Sequence, residues 1–284
     1  MKGDAVSGEA VIHRFPTRYE GAFVNAYLVE TDSGVVAVDG LLTVSAAKEM
    51  RAGLDRLGKP LRAALITQSH PDHYAGLAEI VSGRDVPIVA PQGVIDAITA
   101  DDAIKDQIIG SMFGDEWPTN RIFPNTPIGD GESLTFDDVK FTVIDLGPSE
   151  SPHDSPWMLG DDEQVVFLGD QIYDHKHAFL ADGFYAEWLE NIETLRARFS
   201  DDTVFYVGHG GPVRSDMWDW QRGYIKTFLD AVAEADWSEL ESAKATVVAQ
   251  MKAYEPSDEL QVLMELSIEP IAAQQGLLAS AGER

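Results

Sequence analysis

The chain has no cysteine among its 284 residues. Disulfide bonds, thiolate metal ligands and a cysteine nucleophile are therefore excluded, and any metal ion would have to be bound by His, Asp, Glu, Asn or Gln. Long apolar runs are missing as well, since no stretch approaches the roughly 20 apolar residues that cross a bilayer. The first ten residues also lack the basic and then apolar layout of a signal peptide. These absences predict a cytoplasmic protein that does not associate with membranes.

Basic residues are scarce. The chain has 21 lysines and arginines against 48 aspartates and glutamates, and its formal net charge is therefore −27. Such a charge repels nucleic acid phosphates and anionic membrane surfaces, so both kinds of partner are excluded and a small-molecule substrate is expected. The acidic residues are spread along the chain, which fits either a solubility adaptation to a salty cytoplasm or an ordinary acidic enzyme.

The pattern of apolar residues predicts an α/β protein. With 44% hydrophobic residues the chain can bury a substantial core. A hairpin is expected over 24–31 and 34–40, followed by a helix over 44–58 and a buried strand over 61–68. Further strands and helices alternate up to about residue 213, and the rest of the chain has the pattern of helices. The predicted later elements are strands at 86–91, 134–147, 165–170 and 203–212 and helices at 94–109 and 186–199.

Metal-binding residue types follow several of the predicted strands. Four of the seven histidines are among them. Side chains at neighbouring strand ends of an α/β protein converge on one edge of the sheet, where ligands bind. Imidazole and carboxylate groups suit divalent metal ions, and the inventory is sufficient for two. The residues concerned are Gln68, His70, Asp72, His73, His153, Asp170 and His209.

The order of these groups resembles a known family, the metallo-β-lactamase fold hydrolases. The matching segments are QSHPDH at 68–73, SPHDS at 151–155, FLGD at 167–170 and VGHGGP at 207–212. One such segment is a weak signal, but four in the family's order are specific. The opening hairpin is also similar, and the family's supporting aspartate is Asp39 here. The resemblance covers residues 10–230.

The resemblance implies a four-layer αββα sandwich. Residues 1–213 would form the catalytic domain, and residues 214–284 a helical C-terminal extension packed on the same domain. The same helices could join two copies of the chain in a homodimer.

The resemblance also implies a ligand set for two divalent ions. Zinc is the expected metal, with iron or manganese as alternatives. The sequence departs from the family at Gln68, where histidine is usual, and an amide oxygen is a neutral and weaker zinc ligand than imidazole. The first ion would be bound by Gln68, His70 and His153, the second by Asp72, His73 and His209, with Asp170 bridging the two.

The implied reaction is hydrolysis of an ester, lactone, amide or thioester by a hydroxide bound between the two ions. Asp72 would orient the nucleophile and take up its proton. Tyr173 matches a tyrosine of lactonases with this fold and could donate a hydrogen bond to the developing oxyanion. The alternative is a packed aromatic at the sheet edge.

Two other functions are compatible with the sequence. One is an oxidoreductase of the same fold with a single metal ion, similar to a dioxygenase. The other is a metal-stabilised binding protein without catalysis. His175 and His177 either line the pocket or belong to a solvated loop.

Overall fold

A computed structural model describes residues 4–6, 10–161 and 163–278 of the chain. The outer ends of the two predicted domain ranges, residues 1–3 and 279–284, lie outside the described residues. The strands are β1 (Asp4–Val6), β2 (Ala10–Pro16), β3 (Asn25–Glu30), β4 (Val35–Val38), β5 (Leu61–Leu65), β6 (Ile88–Pro91), β7 (Thr126–Ile128), β8 (Ser133–Phe136), β9 (Val139–Val143), β10 (Trp157–Leu159), β11 (Val165–Tyr173) and β12 (Val204–His209). The α-helices are α1 (Val44–Leu57), α2 (Pro71–Tyr74), α3 (Leu77–Val81), α4 (Gln92–Phe113), α5 (Tyr185–Arg198), α6 (Met217–Glu234), α7 (Leu240–Tyr254) and α8 (Gln261–Gln274).

The first sheet has the strand order β1-β2-β3-β4-β5-β6-β7. Its first four strands are antiparallel, and β4 to β7 run parallel to one another. Parallel neighbours need crossover connections, and helices α1 to α4 lie in those connections. The carboxyl ends of β4 and β5 therefore meet at one edge of this sheet.

The second sheet has the strand order β12-β11-β10-β9-β8. Its strands are antiparallel except for the last pair along the chain, β11 and β12, which are parallel. The carboxyl ends of β11 and β12 consequently lie side by side.

Alternate residues of a strand belong to two different hydrophobic cores, because successive side chains point to opposite faces of the sheet. In β3, Tyr27 and Val29 pack between the two sheets, with Phe167 and Tyr206 of the second sheet. The intervening Leu28 packs on the other side, against α1 and its neighbours. Both faces of the first sheet are thus covered.

The outer face of the second sheet is covered by α5 and the C-terminal helices. Trp188 of α5 and Phe228 of α6 lie in this core together with Met264 and Ile268 of α8. Helices, sheet, sheet and helices make four layers, so the predicted αββα sandwich with helices at its C-terminal end is confirmed. No helix in the described residues is long and apolar enough to cross a membrane.

Two element boundaries differ from the prediction in an informative way. The predicted strand over 61–68 ends at Leu65, so Gln68 lies in the loop that follows it. The predicted helix over 94–109 is longer, Gln92–Phe113, and ends one residue before Gly114.

Candidate active site

The motif His70–His73 is shaped by a single helical turn. His70 has an extended backbone and precedes α2, whose first residue is Pro71. Proline is favoured at this position because it has no amide hydrogen and its φ already suits a helix. The turn directs Asp72 and His73 towards the ends of β11 and β12.

Four side chains converge there, and each offers one atom of a group whose members all lie within 4.8 Å of one another: Asp72, His73, Asp170 and His209. Nε2 of His209 is 3.2 Å from Oδ2 of both Asp72 and Asp170. Nε2 of His73 is 3.3 Å from the same oxygen of Asp170. Three of the four are buried, whereas the Asp72 side chain is 17% exposed. Asp72 is therefore the member that faces solvent.

Asp39 fixes the orientation of the His73 ring. Its Oδ2 lies 2.9 Å from Nδ1 of His73 and also accepts a hydrogen bond from the Thr67 hydroxyl at 2.8 Å. The expectation that Asp39 supports a histidine of the site agrees with this contact. With Nδ1 engaged, Nε2 is the nitrogen that faces the cluster.

Gly208 leaves the space that the cluster occupies. A Cβ atom at this position would come within 1.8 Å of Oδ1 of Asp170 and 2.9 Å of the His73 ring. Any larger residue would displace the carboxylate. The glycine before His209 is thus required by the close approach of β12 to Asp170.

The charges of the cluster balance one another. Burial disfavours a charged His209, but the neighbouring carboxylates of Asp170 and Asp72 outweigh it and raise its pKa to about 9. Burial likewise disfavours a charged Asp170, and the two histidines outweigh it and hold its pKa well below the usual range. Two carboxylates and two imidazoles at this spacing are a fitting donor set for a divalent cation, which would take over the positive charge.

A second group of polar side chains with possible metal ligands adjoins the four-residue cluster. Nδ1 of His70 is 3.0 Å from Oε2 of Glu150. The Tyr173 hydroxyl is 2.8 Å from Oε1 of Glu150 and 3.2 Å from Oδ2 of Asp170, so it contacts both carboxylates. Glu150 is 2% exposed and was not among the residues predicted from sequence.

Several buried polar atoms here have no hydrogen-bond partner in the described part of the chain: both amide atoms of Gln68 and Oδ1 of Asp170. Buried polar atoms without partners are uncommon in native proteins, and a bound ion is one reason for them. An amide oxygen, an imidazole and two carboxylates also fit a divalent cation. His70 is joined to the cluster through Glu150 and Tyr173. The metal-binding roles of Gln68 and His70 stay predictions.

His153 lies elsewhere, contrary to its predicted assignment to the first ion. Its Nε2 is 2.5 Å from Oδ1 of Asp145, and its ring covers Gly93 at the start of α4. The loop is folded by Asp154, whose Oδ2 accepts hydrogen bonds from the amide and hydroxyl of Ser151. This turn buries Glu150 and leaves His153 at the surface side.

The sequence carried only a weak signal for Glu150. His153 was predicted as a metal ligand because it is the one histidine between His73 and His175. A glutamate three residues earlier offers a carboxylate that binds divalent ions equally well. The residue types alone could not separate the two.

Tyr173 faces the site and is completely enclosed. Its ring stacks on that of His209, with centroids 4.9 Å apart and 7° between the planes. Its backbone amide donates to Oε1 of Gln221 on α6 at 2.9 Å. Burial and the carboxylates of Asp170 and Glu150 raise the pKa of the phenol well above its usual value, so it keeps its proton.

His175 and His177 do not belong to the four-residue cluster. His175 is exposed on the loop after β11. His177 is buried, and its Nδ1 and Nε2 lie 3.0 Å from the Tyr224 hydroxyl and the Ser257 carbonyl oxygen, respectively. This histidine therefore connects the loop to the C-terminal helices.

Comparison with known proteins identifies the family. Residues 19–209 match the model of the metallo-beta-lactamase superfamily, and the chain belongs to that superfamily. Among curated proteins it is similar to the alkyl/aryl-sulfatase BDS1 of Saccharomyces cerevisiae, with 24% identity over 232 residues, 68% of this chain and 35% of the relative. It is also similar to a hydroxyacylglutathione hydrolase of Bdellovibrio bacteriovorus, with 25% identity over 149 residues, 52% of this chain and 49% of the relative. The chain thus spans half or less of the length of these relatives.

Solved structures share the fold. A beta-lactamase domain protein from Burkholderia ambifaria superposes with a TM-score of 0.72 and 18% identity, covering 99% of this chain and 92% of that one. A double mutant of the sec-alkyl sulfatase PisA1 superposes with a TM-score of 0.64 and 20% identity, covering 98% of this chain and 50% of that one. At these identities the likeness establishes the fold alone.

Proposed function

We propose that the protein is a metal-dependent hydrolase that cleaves an ester-type bond of a small molecule. The observation that carries the proposal is the convergence of Asp72, His73, Asp170 and His209 within 4.8 Å in a fold of this superfamily. The bond classes considered are carboxylic ester, lactone, amide, thioester and sulfate ester.

Two divalent ions are proposed, with zinc as the first candidate. Asp72, His73 and His209 would bind one ion. Gln68, His70 and Glu150 would bind the other, with Glu150 in the role first given to His153. Asp170 would contact both. Bound there, the ions would supply a Lewis acid for the substrate oxygen and lower the pKa of water.

Asp72 is proposed as the residue that handles the proton of the attacking water. Burial disfavours its charged form, but His73 and His209 outweigh this and lower its pKa, so the carboxylate is ionised near neutral pH. As the most exposed member of the cluster it can accept a hydrogen bond from water on the substrate side. Water then adds to the acyl carbon or sulfur, and the bond to the leaving alcohol, thiol or amine breaks. The leaving group departs with the proton that the attacking water gave up, and the carboxylate or sulfate is the other product.

Tyr173 is proposed to act in two ways. Its hydroxyl holds Glu150 in place through the 2.8 Å hydrogen bond. It could donate to the oxyanion of a substrate only by giving up that bond or the one to Asp170, since a phenol carries a single hydrogen. We therefore expect its removal to be less severe than the removal of Asp72.

Sulfate esters are a second candidate substrate class. The alkyl/aryl-sulfatase and the sec-alkyl sulfatase support them, one by sequence and one by fold. The hydroxyacylglutathione hydrolase supports a thioester instead.

The test combines metal analysis with a substrate panel. Protein purified without chelator is analysed for zinc, iron and manganese. It is then assayed on nitrophenyl acetate, an acyl thioester, a lactone, an amide, nitrophenyl sulfate and a linear alkyl sulfate. We expect about two ions per chain and one substrate class whose turnover is lost on chelation and regained with zinc. Asp161→Asn serves as the control, because that side chain is 85% exposed and distant in the sequence from the proposed ligands. Metal-loaded protein that hydrolyses no member of the panel would favour the binding protein or the oxidoreductase.

A further inference from the structure

The carboxylate of Asp182 reaches the candidate site from the segment 174–184, which follows β11. Its Oδ2 lies 2.8 Å from Nε2 of His70, the ring nitrogen remote from Glu150. The two residues are 112 positions apart in the chain. The side chain of Asp182 is mostly buried, so this contact is shielded from water.

The segment 174–184 is attached to the C-terminal helices at several points. The amide of Leu180 donates to the Ser267 hydroxyl of α8 at 2.8 Å. The Gln274 side chain, also on α8, donates to the carbonyl oxygen of Gly183 at 3.0 Å. Because Gly183 directly follows Asp182, these helices fix the backbone that presents the carboxylate.

The His70 ring is confined on a further side. The ring of Phe179 meets it edge to face, with centroids 5.4 Å apart. Phe179 belongs to the same segment as Asp182. Rotation of the imidazole would therefore break the hydrogen bond and disturb this packing.

We propose that Asp182 is a positioning residue for His70, which it holds with Nδ1 directed at Glu150 and the first metal ion. The proposal rests on the proposed function, in which His70 is a ligand of that ion. It assigns a task in the site to the C-terminal helices, which carry none of the proposed ligands themselves.

Asp182 determines which ring nitrogen of His70 carries the hydrogen. An ionised carboxylate only accepts hydrogen bonds, so the nitrogen facing Asp182 has to carry the hydrogen. Neutral imidazole has one such nitrogen, which leaves Nδ1 with a free lone pair for a metal ion. Carboxylates that hold metal-binding histidines in this way contribute about 10- to 100-fold to metal affinity or activity.

The experiment measures the two zinc dissociation constants by competition with a chromophoric chelator. The variants are Asp182→Ala and Asp182→Asn, with Asp161→Ala on the exposed surface as the matched control. We expect Asp182→Ala to raise the dissociation constant of one zinc ion by about 10- to 100-fold. The dissociation constant of the other ion should stay unchanged. Asp182→Asn should lie between Asp182→Ala and the wild type, because an amide oxygen still accepts from Nε2 but bears no charge.

Long-range proton–nitrogen NMR of the zinc-loaded wild type gives a second readout. We expect the His70 signals of a ring with hydrogen on Nε2 and metal on Nδ1. The opposite arrangement, or an Asp182→Ala protein that binds both ions with wild-type affinity, would overturn the proposal.

The outcomes separate this proposal from the proposed function. Wild-type protein that binds two ions but hydrolyses nothing contradicts the hydrolase, while the dissociation constants still decide the role of Asp182. Wild-type protein that binds no ion overturns both. Circular dichroism of each variant confirms that an altered dissociation constant does not reflect unfolding.

Discussion

The Tyr173 hydroxyl lies 2.8 Å from Glu150 and 3.2 Å from Asp170, and this one group therefore joins the two halves of the candidate site. Glu150 follows β9 in the chain and Asp170 lies on β11. The contact explains why a fully buried tyrosine has a hydroxyl at this position, since buried phenol groups need a hydrogen-bond partner.

Tyr173→Phe should lower kcat/KM by no more than about 10²- to 10³-fold, the usual cost of one lost oxyanion donor. The variant keeps the stacked ring on His209 and loses only the hydroxyl. Steady-state kinetics on the substrate found by the panel measure the change. Tyr19→Phe is the control, because Tyr19 is 78% exposed. A Tyr173→Phe enzyme with unchanged kinetics and metal content would show that the hydroxyl serves packing alone.

Asp72→Asn should nearly abolish turnover. The asparagine loses both the charge that holds metal and the group that accepts the proton, and proton transfer alone is typically worth about 10²- to 10⁴-fold. Kinetics and metal content are measured together. If fully metal-loaded Asp72→Asn were as active as Tyr173→Phe, another residue would have to orient the water.

Glu150→Gln and His153→Ala test the proposed ligand assignment, in which Glu150 replaces His153. We expect the Glu150→Gln protein to bind one of the two ions more weakly or not at all, because a carboxylate at the site is replaced by a neutral amide. His153→Ala should keep both ions and most of the activity, because the histidine contacts Asp145 instead of the cluster. Metal content by elemental analysis is the measurement. The reverse pattern would restore His153 as the ligand.

Gln68→His should strengthen the weaker metal site. Both amide atoms of Gln68 are buried without hydrogen-bond partners in the described residues, so the side chain is free to bind metal through its oxygen. Imidazole is a stronger zinc ligand than a neutral amide. Stepwise chelation should remove one ion before the other from the wild type. In the variant, the chelator concentrations that remove the two ions should lie closer together. Simultaneous loss of both ions in the wild type would argue against unequal sites.

His177 should make stability depend on pH. Burial lowers its pKa, and the nearby Lys252 adds to the effect, although the Ser257 carbonyl oxygen, Glu255 and Asp258 oppose it. As the pH falls below the ordinary histidine value of about 6.5, the unfolded chain takes up a proton before the folded protein does. The stability that this residue contributes is therefore present above pH 6.5 and is lost as the pH falls towards the lowered folded value.

The measurement is the melting temperature of the wild type and of His177→Gln between pH 5 and pH 8. The variant should lose this part of the pH dependence. A difference in melting temperature between the two proteins that stays constant from pH 5 to pH 8 would contradict the lowered pKa of His177.

Much of the fold and part of the site could be predicted from sequence. The apolar and β-branched residues of 24–31 and 34–40, separated by a tight turn at Asp32 and Ser33, indicate a hairpin. Asp170 lies near the carboxyl end of β11 and His209 ends β12, and parallel strands bring such positions to one edge. The four segments in order therefore predicted the family, and three of them carry the four residues of the cluster.

The orientation of loop residues could not be predicted in this way. Whether Glu150 or His153 turns inward is decided by the hydrogen bonds of Asp154, which depend on how the loop folds against the second sheet. No periodicity describes such a loop, so residue type was the only guide. It led to His153, which contacts Asp145 in the structure.

The sequence by itself determined the order of the strand-end motifs, and through the periodicity of its apolar residues it determined the layers that bring them together. Only the tertiary structure decided which carboxylates surround His70. Glu150 and Asp182 lie 80 and 112 positions further along the chain, and they reach the imidazole because a folded loop and the C-terminal helices hold them there. Such contacts are made by packing between distant segments, and local sequence patterns carry no record of them.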